Sequence, residues 1–359
     1  MKQMIVIILL CLITNEVYSQ YNDQFLSDFF FGRQPSARAE ALGKGYSSIG
    51  GDIFSAYYNP AGLSLIKGIE LNGNYSSPYY LMKDENFVFT GLGYNLNKYF
   101  QIGFSRFSVG YGDITFTDES GNELYKLSPY TTNYSLTFAS NPIKNLYLGI
   151  NTNLLLYKAT DNAPFKSLFF DFGVLKTIEL NQNDESINQV QLSGSLSNFT
   201  FAKMTIDVLN NSNNYELPVI SRFGLSYKLG LKNSQSFKNL RTFQALALIE
   251  YQNLLNCKYL TAYRFGCEFS IYEILALRFG YYFETVDNSN SPNSVDKIDK
   301  LTYGLGINLP LNKLISNNFP LNIKIDYTNL PQPSFVNGYN NWDNFKSVSL
   351  SINYRFNTN

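Results

Sequence analysis

Few stretches of this chain carry residue types that could do chemistry. Gly43-Lys44-Gly45, followed by Ser47 and Ser48, has the glycines, lysine and hydroxyls of a phosphate loop. The Walker arrangement, however, needs Gly where Arg38 stands and Ser or Thr directly after the lysine, where Gly45 stands. Asp118-Glu119-Ser120-Gly121-Asn122-Glu123 offers oxygen ligands, but out of EF-hand order and around a Gly-Asn turn, so it reads as a solvated loop tip. The most specific local signal is Tyr58-Asn59-Pro60-Ala61-Gly62-Leu63. Pro60 disfavours helical angles at Asn59, and Gly62 opens backbone angles closed to other residues, so Asn59, Pro60, Ala61 and Gly62 form a turn with a structural role.

Composition closes most catalytic routes. The chain has no histidine, which removes Ser-His-Asp and Cys-His catalysis, the HExxH zinc site and a histidine pH switch. No catalytic residue, metal site or cofactor is expected. Lys plus Arg and Asp plus Glu balance at 28 each, which gives no electrostatic case for nucleic acid. Cys11 falls in the N-terminal apolar run; if Cys257 extends the strand expected at 258 to 270, it and Cys267, ten residues along, are too distant to bridge, and both read as free thiols.

The remaining charges acquire meaning only on the elements that carry them. From Lys67 onward the hydrophobic period is two: Val348, Leu350, Ile352, Tyr354 and Phe356 alternate with Ser347, Ser349, Ser351, Asn353 and Arg355. The pattern places strands at about 69 to 76, 86 to 96, 98 to 108, 130 to 140, 145 to 158, 164 to 177, 189 to 199, 218 to 229, 242 to 252, 258 to 270, 273 to 285, 299 to 310, 319 to 329 and 344 to 356. These fourteen are mostly longer than the roughly five or six residues usual in soluble sheets and close to the ~9 to 11 of a membrane strand.

A soluble sandwich would turn the apolar faces inward; an outer-membrane barrel would turn them to lipid and line its lumen with the polar ones. Even strand number, a longer average loop on one side and the absence of mid-strand proline favour the barrel. By this parity the lumen-facing charges are Arg106, Asp171, Arg222, Lys228, Arg264, Glu268, Arg278, Glu284, Lys324, Asp326 and Arg355. Mutual pairing accounts for them more simply than a substrate-reading ladder. Phe87 and Phe89 break the polar-lumen rule, and such an apolar patch suits a greasy ligand or, more simply, packing against the N-terminal arm. Tyr75, Tyr94, Tyr130, Tyr227, Tyr281 and Phe356 near strand ends fit interfacial aromatic girdles.

The first 66 residues have a different character. Residues 1–19 have Lys2, an apolar core and Val17-Tyr18-Ser19 as a cleavage site, which reads as a secretory signal peptide. Residues 20–66 follow as an apolar arm and plug, with Ser36 capping a short helix over 37 to 42 that ends at Gly43. The unit is too small to fold alone and needs a host cavity. Residues 67–359 form the barrel, and Tyr354 and Phe356 on the last strand resemble the C-terminal assembly signal of bacterial outer-membrane proteins.

Ser36-Ala37-Arg38-Ala39 through Leu42-Gly43-Lys44-Gly45, then Ala56-Tyr57-Tyr58-Asn59-Pro60-Ala61-Gly62-Leu63, resemble the N-terminal signature of the FadL/PorV superfamily of Gram-negative outer-membrane barrels. Gly112-Asp113-Ile114, Asp171-Phe172-Gly173, Leu217-Pro218 and Leu277-Arg278-Phe279-Gly280-Tyr281 resemble later motifs of its PorV-like branch, typical of Bacteroidetes. The resemblance implies an all-β, 14-stranded antiparallel transmembrane barrel with a small N-terminal helical plug in the lumen. It also implies a non-enzymatic role in type IX secretion or surface-protein handling, with a secretion translocon and secreted cargo as partners. The alternative it carries is a FadL-like uptake channel for hydrophobic small molecules or fatty acids. Outer-membrane lipid and the barrel assembly machinery would be partners in either case.

Overall fold

The computed structural model describes residues 30, 33–76, 85–159, 163–182, 186–208, 211–232, 240–256, 261–287, 295–315, 319–330 and 345–355. Fourteen antiparallel strands close into one barrel. They are β1 (Ile69–Ser76), β2 (Glu85–Asn95), β3 (Phe100–Tyr111), β6 (Tyr130–Ile143), β7 (Leu146–Lys158), β8 (Phe165–Gln182), β9 (Ser186–Ser197), β12 (Ile220–Leu231), β13 (Phe243–Leu254), β14 (Thr261–Ile271), β15 (Leu275–Asp287), β16 (Val295–Pro310), β17 (Leu321–Leu330) and β18 (Phe345–Tyr354). Closure is by β1 on β18, with Ile69 opposite Tyr354 and Ser76 opposite Ser347. No described helix is long and apolar enough to cross a membrane.

Two strand pairs stand outside the barrel: β4 (Ile114–Thr117) with β5 (Glu123–Leu127), and β10 (Lys203–Val208) with β11 (Asn211–Glu216). Both lie in stretches that the alternation pattern leaves as loops, because four to six residues are too few to show a period clearly. Both also belong to the same end of the barrel, called here the loop end. The opposite, turn end carries the start of β1, the end of β18 and the short connections such as 96–99 and 272–274.

The barrel wears its apolar surface outside. Leu71, Leu92, Phe104, Leu168, Phe279 and Leu350 are all exposed, while their neighbours in sequence point in and are buried. A closed sheet leaves no unpaired edge, so this surface is compatible with hydrocarbon and unsuited to water. Cys267 is a free, half-buried thiol; Cys257, Phe356 and the expected signal segment 1–19 lie outside the described residues.

Strand parity corrects one expectation. On β3 the inward positions are Gln101, Gly103, Ser105, Phe107 and Val109, so Arg106 faces outward, not into the lumen. Its Nη2 donates to Ser108 Oγ at 3.1 Å, and Ser108 lies 2.7 Å from Thr132, all on the outer face. The rule that polar residues line the lumen reverses here because this part of the lumen is itself apolar.

Candidate functional site

Residues 33–66 thread the lumen and have no core of their own; the barrel wall supplies one. Ser36 caps α1 (Ala37–Ala41) by accepting from Ala39 N, as its position before good helix formers predicts. Gly43 and Lys44 then take φ of 68° and 65° and reverse the chain. α2 (Ser55–Tyr58) follows, and Asn59 caps a 3-10 helix (Pro60–Leu65) by accepting from Ala61 N. Pro60 at the first helical position needs no donor there. Gly62 plays a different part from the expected one: its φ is ordinary, and a Cβ would sit 2.8 Å from Ser55, so it is needed for space.

Plug backbone groups left over by such short helices are satisfied by barrel side chains, which meets the demand that buried polar groups be paired. Glu250 Oε2 accepts from Tyr46 N and Ser47 N at 3.0 and 2.7 Å, while Thr302 Oγ1 accepts from Gly43 N and donates to Ala41 O. Asn151 donates to Ala56 O, Ser195 to Tyr58 O, and Ser226 to Ser48 O. The seat is close enough to require glycine in the wall. A Cβ on Gly280 would meet Gly43 N at 2.0 Å, and one on Gly149 would meet the Pro60 carbonyl carbon at 2.3 Å.

The expected lumen charges divide between this seat and its surroundings. Arg38 of the plug forms a two-pronged pair with Glu268, both contacts at 2.8 Å; Arg278 joins Glu268 at 2.5 Å and Asp326 at 2.8 Å. Arg264 pairs with Glu250 at 2.9 Å and donates to Lys44 O, and Lys44 reaches Glu284 at 3.3 Å. Asp171 accepts from Asn198 N, Asn151 and Asn153, whereas Arg222 donates to Gln252 and Ser197. Lys324 stands apart from these pairs, at the turn end. Within the plug, burial raises the Tyr46 phenol well above its usual value against the lowering effect of Arg38, so it remains a donor to Asp52.

Toward the loop end the lumen changes character. Phe87 and Phe89 of β2, Phe107 and Val109 of β3, Leu155 and Tyr157 of β7 and Phe169 of β8 turn inward and are buried. From below, Tyr57 packs edge-on against Phe107 at 5.6 Å, and Phe54 lies tilted against Phe89 at 5.0 Å. From above comes the β10–β11 hairpin: Met204 is fully buried, and lumen-facing Ser167 donates to Lys203 O at 2.9 Å. Phe30 of the N-terminal arm reaches Phe169 at 6.4 Å between ring centres. Phe87 and Phe89 mark this chamber in the sequence; Met204, which closes it with Leu217, sits in a stretch with no readable alternation.

Arginine and aromatic side chains therefore sort by depth. The plug is held by ions and hydrogen bonds in the middle of the barrel, and an apolar chamber, filled by side chains of the wall, the plug and the β10–β11 hairpin, lies between the plug and its cover. No group of His, Cys, Asp and Glu among the described residues is arranged to hold a metal.

No family model matches the chain, and no curated protein sequence does. Among solved structures, the Pseudomonas putida toluene transporter TodX aligns with 95% of this chain and 99% of its own, at 10% identity and a TM-score of 0.43. The Ralstonia pickettii toluene transporter TbuX aligns over 90% and 98%, at 10% identity and 0.48. A FadL homologue of Pseudomonas aeruginosa aligns over 87% and 96%, at 12% identity and 0.44.

Proposed function

We propose that this chain is a plugged outer-membrane barrel of Gram-negative type that takes up hydrophobic small molecules through the apolar chamber at the loop end of its lumen. The chamber carries this reading. Phe87, Phe107, Leu155 and Phe169 present rings and branched chains to the interior, where Phe30, Phe54 and Tyr57 cover part of them. A greasy molecule entering there replaces Phe30, Tyr57 or Met204 as the packing partner and gains burial worth about 25 cal/mol per Å² of apolar area. The plug then separates the chamber from the turn end, so onward movement needs the plug or the wall to shift.

The test is equilibrium binding of a labelled long-chain carboxylic acid to the purified barrel in mild detergent. Saturable one-to-one binding supports uptake; binding that only follows partition into empty micelles contradicts it.

A role in protein secretion of the PorV kind is the second reading, supported by the β4–β5 hairpin. It carries Ile114, Phe116, Leu124 and Tyr125 exposed, with Phe116 and Tyr125 stacked at 4.4 Å, and neither barrel nor plug covers them. Such a tip suits a protein partner such as a translocon or cargo. Affinity purification from native membranes should then recover a partner that is lost in Phe116→Ser with Leu124→Ser. Recovery of the same proteins with wild type and the double variant would remove the support.

A further inference from the structure

At the turn end, between the plug and the β1–β18–β17 wall, lies a polar cavity of about 150 Å³. Lys67, Lys324 and Arg355 line it, and among the described residues none of the three forms a salt bridge. Lys67 and Arg355 are exposed at the mouth, and Lys324 is half-buried. The register brings the walls together: Glu70 is opposite Asn353, which is opposite Asn322 on its other side.

Glu70 and Asn322 supply the second observation. Both side chains are buried, at 3% and 4% exposure, and Glu70 Oε1 and Asn322 Oδ1 have no hydrogen-bond partner. A buried acceptor left unpaired costs about 1 to 3 kcal/mol. The cavity thus offers three cations without a salt bridge, Lys324 among them close enough to act on Glu70, and beside them two buried oxygens, Glu70 Oε1 and Asn322 Oδ1, free to accept a hydrogen. A bare oxyanion answers the cations but is repelled by Glu70. An oxyanion that carries its own O–H answers both.

We propose that this cavity is a binding site for protonated phosphate, either the free ion or a phosphate monoester. Lys67, Lys324 and Arg355 neutralise its charged oxygens, while Glu70 or Asn322 accepts its hydrogen. Selection against sulfate follows from the same geometry, since sulfate has the shape and charge but no hydrogen to give.

Calorimetric titration of the full chain in detergent near pH 7 tests this, with inorganic phosphate, sulfate and glycerol 1-phosphate as probes. Phosphate should bind at least about ten-fold more tightly than sulfate, as expected where a site is built around a ligand hydrogen. Glu70→Gln should erase that preference, and Lys324→Met and Arg355→Gln should each weaken phosphate about ten-fold. Heat-dependent gel mobility reports that each variant is folded, and Arg355→Gln lies beyond the last strand, where it leaves the ladder intact. Glycerol 1-phosphate binding as well as phosphate assigns the site to monoesters; much weaker binding assigns it to the free ion. Equal affinity for phosphate and sulfate, no phosphate binding at millimolar concentration, or unchanged affinity in both cation variants would overturn the proposal.

Discussion

Asn59 is seated against Gly173: its amide donates to Val174 O and Ser47 O at 3.0 Å each, and a Cβ on Gly173 would stand 2.0 Å from Asn59 Oδ1. One side chain thereby joins the plug to itself and to the wall. Gly173→Ala should unseat the 3-10 helix at a cost of about 1 to 3 kcal/mol, the range for overpacking. The expected readout is a lower temperature for the heat-dependent gel shift together with raised conductance in planar bilayers. A closed, fully stable Gly173→Ala barrel would show that the seat tolerates the methyl group.

The ion cluster predicts a similar loosening by a different route. Glu268→Gln leaves Arg38 and Arg278 facing each other without the carboxylate between them, and removing one partner of a buried pair costs about 3 to 5 kcal/mol. Protease sensitivity of the plug in intact proteoliposomes should rise. Replacing Arg38 and Glu268 together by Met and Leu should restore much of the loss, because the two charges leave together and Arg278 keeps Asp326.

Outward placement of Arg106 gives a sharp contrast between adjacent residues. Arg106→Cys should react with a lipid-soluble maleimide from the membrane phase, and Ser105→Cys, on the lumen side, should not. Arg106→Leu should be neutral or stabilising by up to about 2 kcal/mol, since a lipid-facing arginine is unfavourable in a depth-dependent way. Strong destabilisation would return Arg106 to the lumen.

In the β14–β15 turn, Tyr272 and Glu273 both have positive φ, 52° and 56°, and a charge cluster accompanies the strained backbone. Glu273 contacts Lys313 and, at 3.0 Å, Arg241, while its carbonyl accepts from Asn308. Burial alone would raise its pKa, but the Lys313 hydrogen bond and charge, with Arg241, hold it below the usual value. A depressed folded pKa stabilises above the unfolded value of about 4.3 and loses that contribution as pH falls through the lower folded value. Wild type should therefore lose unfolding temperature between pH 5 and 3, values set by that reference of about 4.3, more steeply than Glu273→Gln does; parallel curves would contradict the assignment.

How much of this was legible depends on whether a residue's partner is near in sequence. The barrel strands were, since each shows its own two-residue period, as β17 does from Leu321 to Leu330. The Ser36 cap and the Asn59-Pro60 turn were too, because both act within three residues. Gly149, Gly173 and Gly280 read in isolation as weak points of strands; they are seats for a plug more than eighty residues away, which no local pattern announces. Arg106 was misplaced because the polar-inside rule presumes a polar lumen, and Phe107 and Val109 make it apolar at that depth. The hairpin cover was hidden because its burial comes from the chamber below it.

The central claim is that the apolar chamber, and not the outer surface, receives hydrophobic molecules. Photo-crosslinking a diazirine-bearing long-chain carboxylic acid to the purified barrel, with adducts mapped by mass spectrometry, tests it most directly. Adducts at Phe87, Phe107, Phe169 and Met204, abolished by excess unlabelled acid, are the predicted result. Labelling confined to Phe104 and Leu168, the outward neighbours on the same strands, would contradict it.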